Sequence, residues 1–129
     1  MTALGKELVA ALRPLTEISL IDAAFREFLE LRELVRSTGT LSLGAVTDTR
    51  ALLSSSAPGG VFFLPEELLQ VYDNITAASR IKSLPRQDFR ARYPRVSAMC
   101  DSITEQRELA RELNRILDEK GGIRDDASR

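Results

Sequence analysis

Between Ile18 and Gly39 the apolar residues Ile18, Ile21, Ala24, Phe25, Phe28, Leu31 and Val35 recur at intervals of three and four. That period puts them on one stripe of an α-helix, and a stripe of this length has to find an apolar surface to bury against. Thr16 stands where an N-cap is expected, and Gly39 supplies the C-terminal stop. The other face carries Arg26, Glu27, Glu30, Glu33 and Arg36. Its Arg26 to Glu30 and Glu33 to Arg36 spacings allow surface ion pairs, so it reads as a solvated face rather than a site.

The rest of the chain repeats the helical theme in shorter pieces. Thr2 can cap a helix running to Arg13, where Pro14 ends it. Residues 40–47 read as a tight loop, and Asp48 caps a short helix holding Leu52 and Leu53. The run Ser54 to Gly60 is the clearest break. Val61-Phe62-Phe63-Leu64 has no partner strand and is expected to be a buried lead-in to the next helix. Pro65 with Glu66 and Glu67 starts that helix through the fixed proline φ and the N-terminal dipole, and Leu68, Val71, Tyr72, Ile75, Ala78 and Ile81 form its stripe. Short helices follow over residues 86 to 92 and from Pro94 to Ile103. The last helix, capped by Thr104, buries Leu109, Leu113, Ile116 and Leu117 and is closed by Gly121-Gly122. Leu, Ala, Arg and Glu dominate while aromatics make up 5% with no Trp, a helix composition. No repeat of solenoid period is present. The expectation is an all-α fold, a helical bundle of two or three long helices with short connecting helices, forming a single helical domain over residues 1–129.

Residue chemistry narrows the function. With no histidine and the single cysteine Cys100, the chain can build neither the common zinc sites nor a Ser-His or Cys-His nucleophile. One cysteine also excludes an intrachain disulfide and fits a reducing compartment. No apolar run approaches a membrane span and no secretory signal is visible, so a cytoplasmic location without membrane contact is expected. Gly5-Lys6 is the only fragment of a nucleotide-binding loop, lacking both the upstream glycine and the following hydroxyl. No cofactor or metal is expected in this chain. The acid pairs Glu66-Glu67 and Asp125-Asp126 are helix-start acids, since sequence neighbours on a helix do not face each other.

The formal charge of -1 hides one local bias. Arg80, Lys82, Arg86, Arg90, Arg92 and Arg95 place six cations within sixteen residues, opposed only by Asp88. Such a segment can neutralise nucleic-acid phosphates, can dock an acidic helix through bidentate guanidinium pairs, or can be a solvated basic face. Phe89 and Tyr93 are too few to make a stacking platform.

The order of motifs along the chain resembles the N-terminal part of the second MutS paralogue of bacteria, the MutS-two branch that lacks the mismatch-reading domain. The matching residues are Gly5-Lys6-Glu7 with Leu12-Arg13-Pro14, Leu43-Gly44-Ala45-Val46-Thr47-Asp48, Gly59-Gly60 with Pro65-Glu66-Glu67-Leu68, and Tyr93-Pro94. The closing signature Gly121-Gly122-Ile123-Arg124-Asp125-Asp126-Ala127-Ser128 is the most specific. In the family a proline follows Ala-Ser and a further helix precedes Gly-Lys-Glu, so Arg129 and the early start suggest a fragment truncated at both ends. The resemblance implies a non-catalytic core or lever segment of a DNA-binding, DNA-stimulated ATPase that acts as a dimer. ATP and magnesium, the nuclease activity, and roles in recombination suppression, DNA repair and collided ribosomes then belong to the parent protein. Implied partners are DNA and the ribosome through that parent, the remainder of the same polypeptide, and a second copy of the segment, because a piece of a larger helical core leaves an apolar face unburied. The alternatives are a free-standing helical interaction adaptor and a small nucleic-acid-binding module.

Overall fold

The computed structural model describes residues 2–39, 44–56, 62–118 and 122–124. Seven helices run through them: α1 (Ala3–Ala10), α2 (Ile18–Thr38), α3 (Arg50–Ser56), α4 (Pro65–Lys82), α5 (Gln87–Arg92), α6 (Pro94–Asp101) and α7 (Arg107–Ile116). Strand pairing among these residues is confined to one antiparallel bridge between Leu117 and Ile123, so the fold is all-α as the composition predicts.

Local chemistry sets most of the boundaries. Thr2 Oγ1 accepts from the Gly5 amide at 3.1 Å and starts α1, which ends at Ala10 rather than Arg13. Gly39 follows α2 at φ +81°, a conformation that costs a residue with a Cβ far more than it costs glycine. Asp48 Oδ1 accepts the Arg50 amide at the start of α3. The helix then runs on to Ser56, past the expected break at Ser54. Pro65 opens α4 without wasting a donor, and Glu67 reaches back to accept the Leu64 amide at 2.7 Å. Two expected caps do not form: α2 begins after Glu17, not Thr16, and α7 begins after Gln106, not Thr104. Leu117 turns extended and ends α7, and beyond it Asp118 N donates to Gly122 O and Arg124 N to Ile116 O.

The eight-residue α6 is the element on which the others converge, packing against α2, α4 and α5. Leu34, Tyr93, Val96 and Cys100 are buried together there, with Leu31, Ile81 and Phe89 packed around them. Both ends of α6 are capped by side chains from other helices. At its N-terminus, Pro94 has no N–H, and the next two amides, Arg95 and Val96, both donate to Glu30 Oε2 of α2 at 2.8 and 3.1 Å. Ser97 N then bonds Tyr93 O, so each donor of the first turn is satisfied. At its C-terminus, Lys82 Nζ of α4 donates to the carbonyls of Asp101, at 3.3 Å, and Ile103. A second contact joins α4 to α7, where Ala77, Leu113 and Leu117 are buried.

α2 docks through a face turned by about a third of a circle from the stripe its apolar periodicity predicts, the two sharing Leu31. Ala23, Glu27, Glu30 and Leu31 are half-buried and Leu34 is 2% exposed. Ile18, Ile21, Ala24, Phe25, Phe28 and Val35 of the expected stripe are exposed. The expected ion pairs on the polar face are also replaced: Arg26 pairs with Asp22 at 2.8 Å, Glu30 caps α6, and Glu33 pairs with Arg92 at 2.7 Å. The docked face combines Leu31 and Leu34, which enter the core, with Glu30, which satisfies the first donors of α6, and among the described residues nothing covers the rest of the stripe. Two further burial expectations fail in the same way, with Phe62 94% exposed and Leu109 exposed on α7.

Candidate docking face and basic residues

The exposed side of α2 continues the exposure of what precedes it. Leu8, Val9, Leu12 and Leu15 are exposed, α1 buries none of its residues, and Ile18, Ile21, Phe25 and Phe28 follow on α2. Phe25 and Phe28 meet edge to face with ring centroids 6.3 Å apart. Leu15, Ile21, Ala24, Phe25 and Phe28 line an open apolar concavity of about 540 Å³. One exposed leucine needs no explanation, but a contiguous run of this kind marks a surface made to be covered.

α1 is tied down by charge. Arg50 holds Glu7 at 2.5 Å and Asp48 at 2.7 Å. The guanidinium's hydrogen bonds hold Asp48 at a pKa of about 2 and Glu7 below its usual range. Asn74 of α4 fixes the segment leading into α3: its Oδ1 accepts Thr47 N at 2.9 Å and its Nδ2 donates to Thr47 O at 2.8 Å. Gly44 sits in the same segment at φ +78°, where an added Cβ would lie 3.7 Å from Ala77. The Gly5-Lys6 pair lies within α1, with the Gly5 amide already given to Thr2, so no loop exists there to cradle a phosphate.

The six basic residues singled out in the sequence do not form one patch. Lys82 is engaged with the carbonyls at the end of α6. Arg90 makes a two-pronged contact to Asp101, at 2.5 and 2.9 Å, which lowers the Asp101 carboxyl's pKa. Arg92 binds Glu33 and lies over the Tyr93 ring, 5.3 Å from its centroid. Arg80, Arg86 and Arg95 make no side-chain hydrogen bond or ion pair among the described residues. Arg80 points toward Gly44, and Arg95 begins α6. Tyr93 is buried with its hydroxyl 3.2 Å from Ser37 Oγ, so it offers no face to a base.

Tertiary structure instead brings Arg92 beside Arg32 and Arg36 of α2, two cations the sequence reading did not assign to any site. Their four-residue spacing, which puts them on one helical face, is the available sequence signal; Arg92 stands out within the basic segment, but nothing local joins it to Arg32 and Arg36. Asp125 and Asp126, together with the Ala127-Ser128 cap motif, lie outside the described residues. Cys100 is buried on α6, and burial pushes its thiol pKa up, away from a nucleophile's value. Among the described residues no three His, Cys, Asp or Glu side chains are grouped to hold a metal, and no helix is long and apolar enough to cross a membrane.

The chain aligns over 98% of its length, at 31% identity, with the protein named endonuclease MutS2 of Symbiobacterium thermophilum, of which it spans 16%. The same name, coverage and identity hold for Geobacillus thermodenitrificans. The MutS2 of Halothermothrix orenii is 26% identical over 99% of the chain and 17% of that protein. The chain is related to one segment of MutS2. It spans about a sixth of the length of these MutS2 relatives. No family model and no solved structure matches it.

Proposed function

We propose that the chain is a non-catalytic helical segment of a MutS2-type protein whose work is mechanical: it packs through α1 and the outer face of α2 against further polypeptide. The observation that carries this reading is the apolar side of α2, with Ile18 at 82%, Phe25 at 61% and Phe28 at 55% exposure on a helix already docked by another face. Fully burying a Leu, Ile or Phe side chain is worth about 1.5–3 kcal/mol, so five or six of them on one face are a strong incentive to association. A core or lever segment between a DNA-embracing part and an ATPase part has this property, since such a helix transmits motion by being clamped on two sides.

The non-catalytic assignment rests on residue chemistry: the chain has no histidine, its one thiol is buried, and the acids with lowered pKa values are neutralised by arginines. On this reading ATP, magnesium and nuclease chemistry belong to other parts of the longer protein, and DNA or ribosome contact comes to this segment through them. A cytoplasmic location and one domain over residues 1–129 complete the proposal.

The deciding experiment is to read the natural open reading frame for a phosphate loop of the Gly-x4-Gly-Lys-Ser/Thr type beyond these residues. A frame that ends at Arg129 would sink the segment reading and leave a free-standing adaptor. In solution, the 129-residue chain is expected to self-associate, and Phe25→Ser with Phe28→Ser is expected to return it to a monomer by sedimentation.

A further inference from the structure

We propose that Arg32, Arg36 and Arg92 form a phosphate-binding site between α2 and α5, bordering the apolar face at Phe28. These residues, with Leu29 and Glu33, line a concavity of about 570 Å³. Three guanidiniums against one carboxylate give the site a net charge of +2.

The side chains are held but not saturated. Arg36 makes no hydrogen bond or ion pair among the described residues. Among the described residues Arg32 makes no hydrogen bond or ion pair and lies over the Phe28 ring, 5.9 Å from its centroid, which steadies the guanidinium without using its donors. Arg92 spends Nε and Nη2 on Glu33 Oε1, at 3.1 and 2.7 Å, and leaves Nη1 available. Ser37 Oγ donates to Leu34 O at 2.9 Å and lies 3.2 Å from the Tyr93 hydroxyl, so it lines the concavity with its one proton already committed.

A carboxylate offers two oxygens and is already represented here by Glu33, whereas a phosphate presents more oxygens to guanidinium forks converging from two helices. Tyr93 is buried and Phe28 does not line the concavity, so recognition is of the phosphate group alone and is independent of base sequence. Glu33 is the internal competitor: it occupies Arg92 until a phosphate displaces it. The chemistry is common to a nucleic-acid backbone and to free phosphate, and the test separates them.

The experiment titrates the 129-residue chain with a duplex oligonucleotide, a single-stranded oligonucleotide and inorganic phosphate across a range of salt. Arg32→Gln with Arg36→Gln is expected to weaken oligonucleotide binding about tenfold at low salt and to flatten the slope of log affinity against log salt by about 2. Glu33→Gln is expected to tighten binding about threefold, a gain that misfolding cannot mimic. Arg86→Gln with Arg95→Gln removes the same charge elsewhere and is expected to cost less than a third as much. Saturation by inorganic phosphate at the same three arginines, without oligonucleotide binding, identifies free phosphate as the source. The proposal is overturned if neither ligand binds, if the two double variants lose affinity equally, or if Glu33→Gln weakens binding.

Discussion

Replacing Glu30 tests the most unusual contact in the structure, a helix cap supplied by a side chain 65 residues away in sequence. Glu30 Oε2 takes both free amides of the first turn of α6, at 2.8 and 3.1 Å, and it is half-buried where α2 meets α6. Losing an N-cap acceptor costs about 0.5–2 kcal/mol, and a negative charge at a helix N-terminus adds about 0.3–1 kcal/mol. These contributions overlap, and alanine returns a few tenths through its better propensity within α2. The expected net loss for Glu30→Ala is about 2 kcal/mol. Glu30→Gln keeps an oxygen acceptor and loses the charge, so about half of that loss is expected. With a urea dependence of about 1–3 kcal/mol per molar, the Glu30→Ala midpoint falls by about 1 M. Hydrogen exchange gives a local readout, because 2 kcal/mol corresponds to about thirtyfold faster exchange at the Arg95 and Val96 amides. Glu27→Ala is the control: Glu27 is half-buried on the same face of α2 but has no hydrogen-bond partner among the described residues. If Glu30→Ala costs no more than Glu27→Ala, or if Arg95 and Val96 exchange unchanged, the cap is not what holds α2 to α6.

Leu34→Ala removes the most buried large side chain of the main cluster and is expected to cost about 2–5 kcal/mol by denaturant unfolding, whereas Phe28→Ala on the exposed face is expected to change little. Asp48, held near a pKa of about 2 by Arg50, contributes stability that is complete above the ordinary carboxylate range and is lost as pH falls toward 2. Carboxyl titration followed by NMR is expected to find that low midpoint and to see it rise toward the ordinary value in Arg50→Gln. Cys100 is expected to resist a thiol reagent in the folded chain and to react promptly in urea, and equal rates in the two states would contradict its burial and raised pKa.

The helices themselves were legible because their signals are local. Thr2, Gly39, Pro65, Glu67 and Pro94 act within one turn of their own position, and the structure puts helix ends at each of them. Where several weak local signals compete, as at Thr16 and Thr104, the sequence misplaces the cap by one or two residues. Relatedness was legible for a different reason, the preserved order of short motifs across nearly the whole chain.

The docked face of α2 was not legible. Apolar periodicity reports that a helix has two unlike sides, and it identifies the apolar side as the one that gains most from burial, but it carries no information about which partner this chain provides. The basic segment shows the same limit: Lys82, Arg90 and Arg92 lie within eleven residues, yet Lys82 and Arg90 converge on the end of α6 at Asp101 while Arg92 turns to Glu33 of α2. Sequence alone therefore determined the all-α class, the positions of the helices and the kinship with MutS2, since backbone hydrogen bonding and caps depend on residues a few positions apart. Tertiary structure decided that Glu30 and Lys82 would close the two ends of α6, that Arg32, Arg36 and Arg92 would meet, and that Phe25 and Phe28 would face outward. Those outcomes depend on donors and acceptors separated by tens of residues, whose pairing exists only once the helices have been brought together.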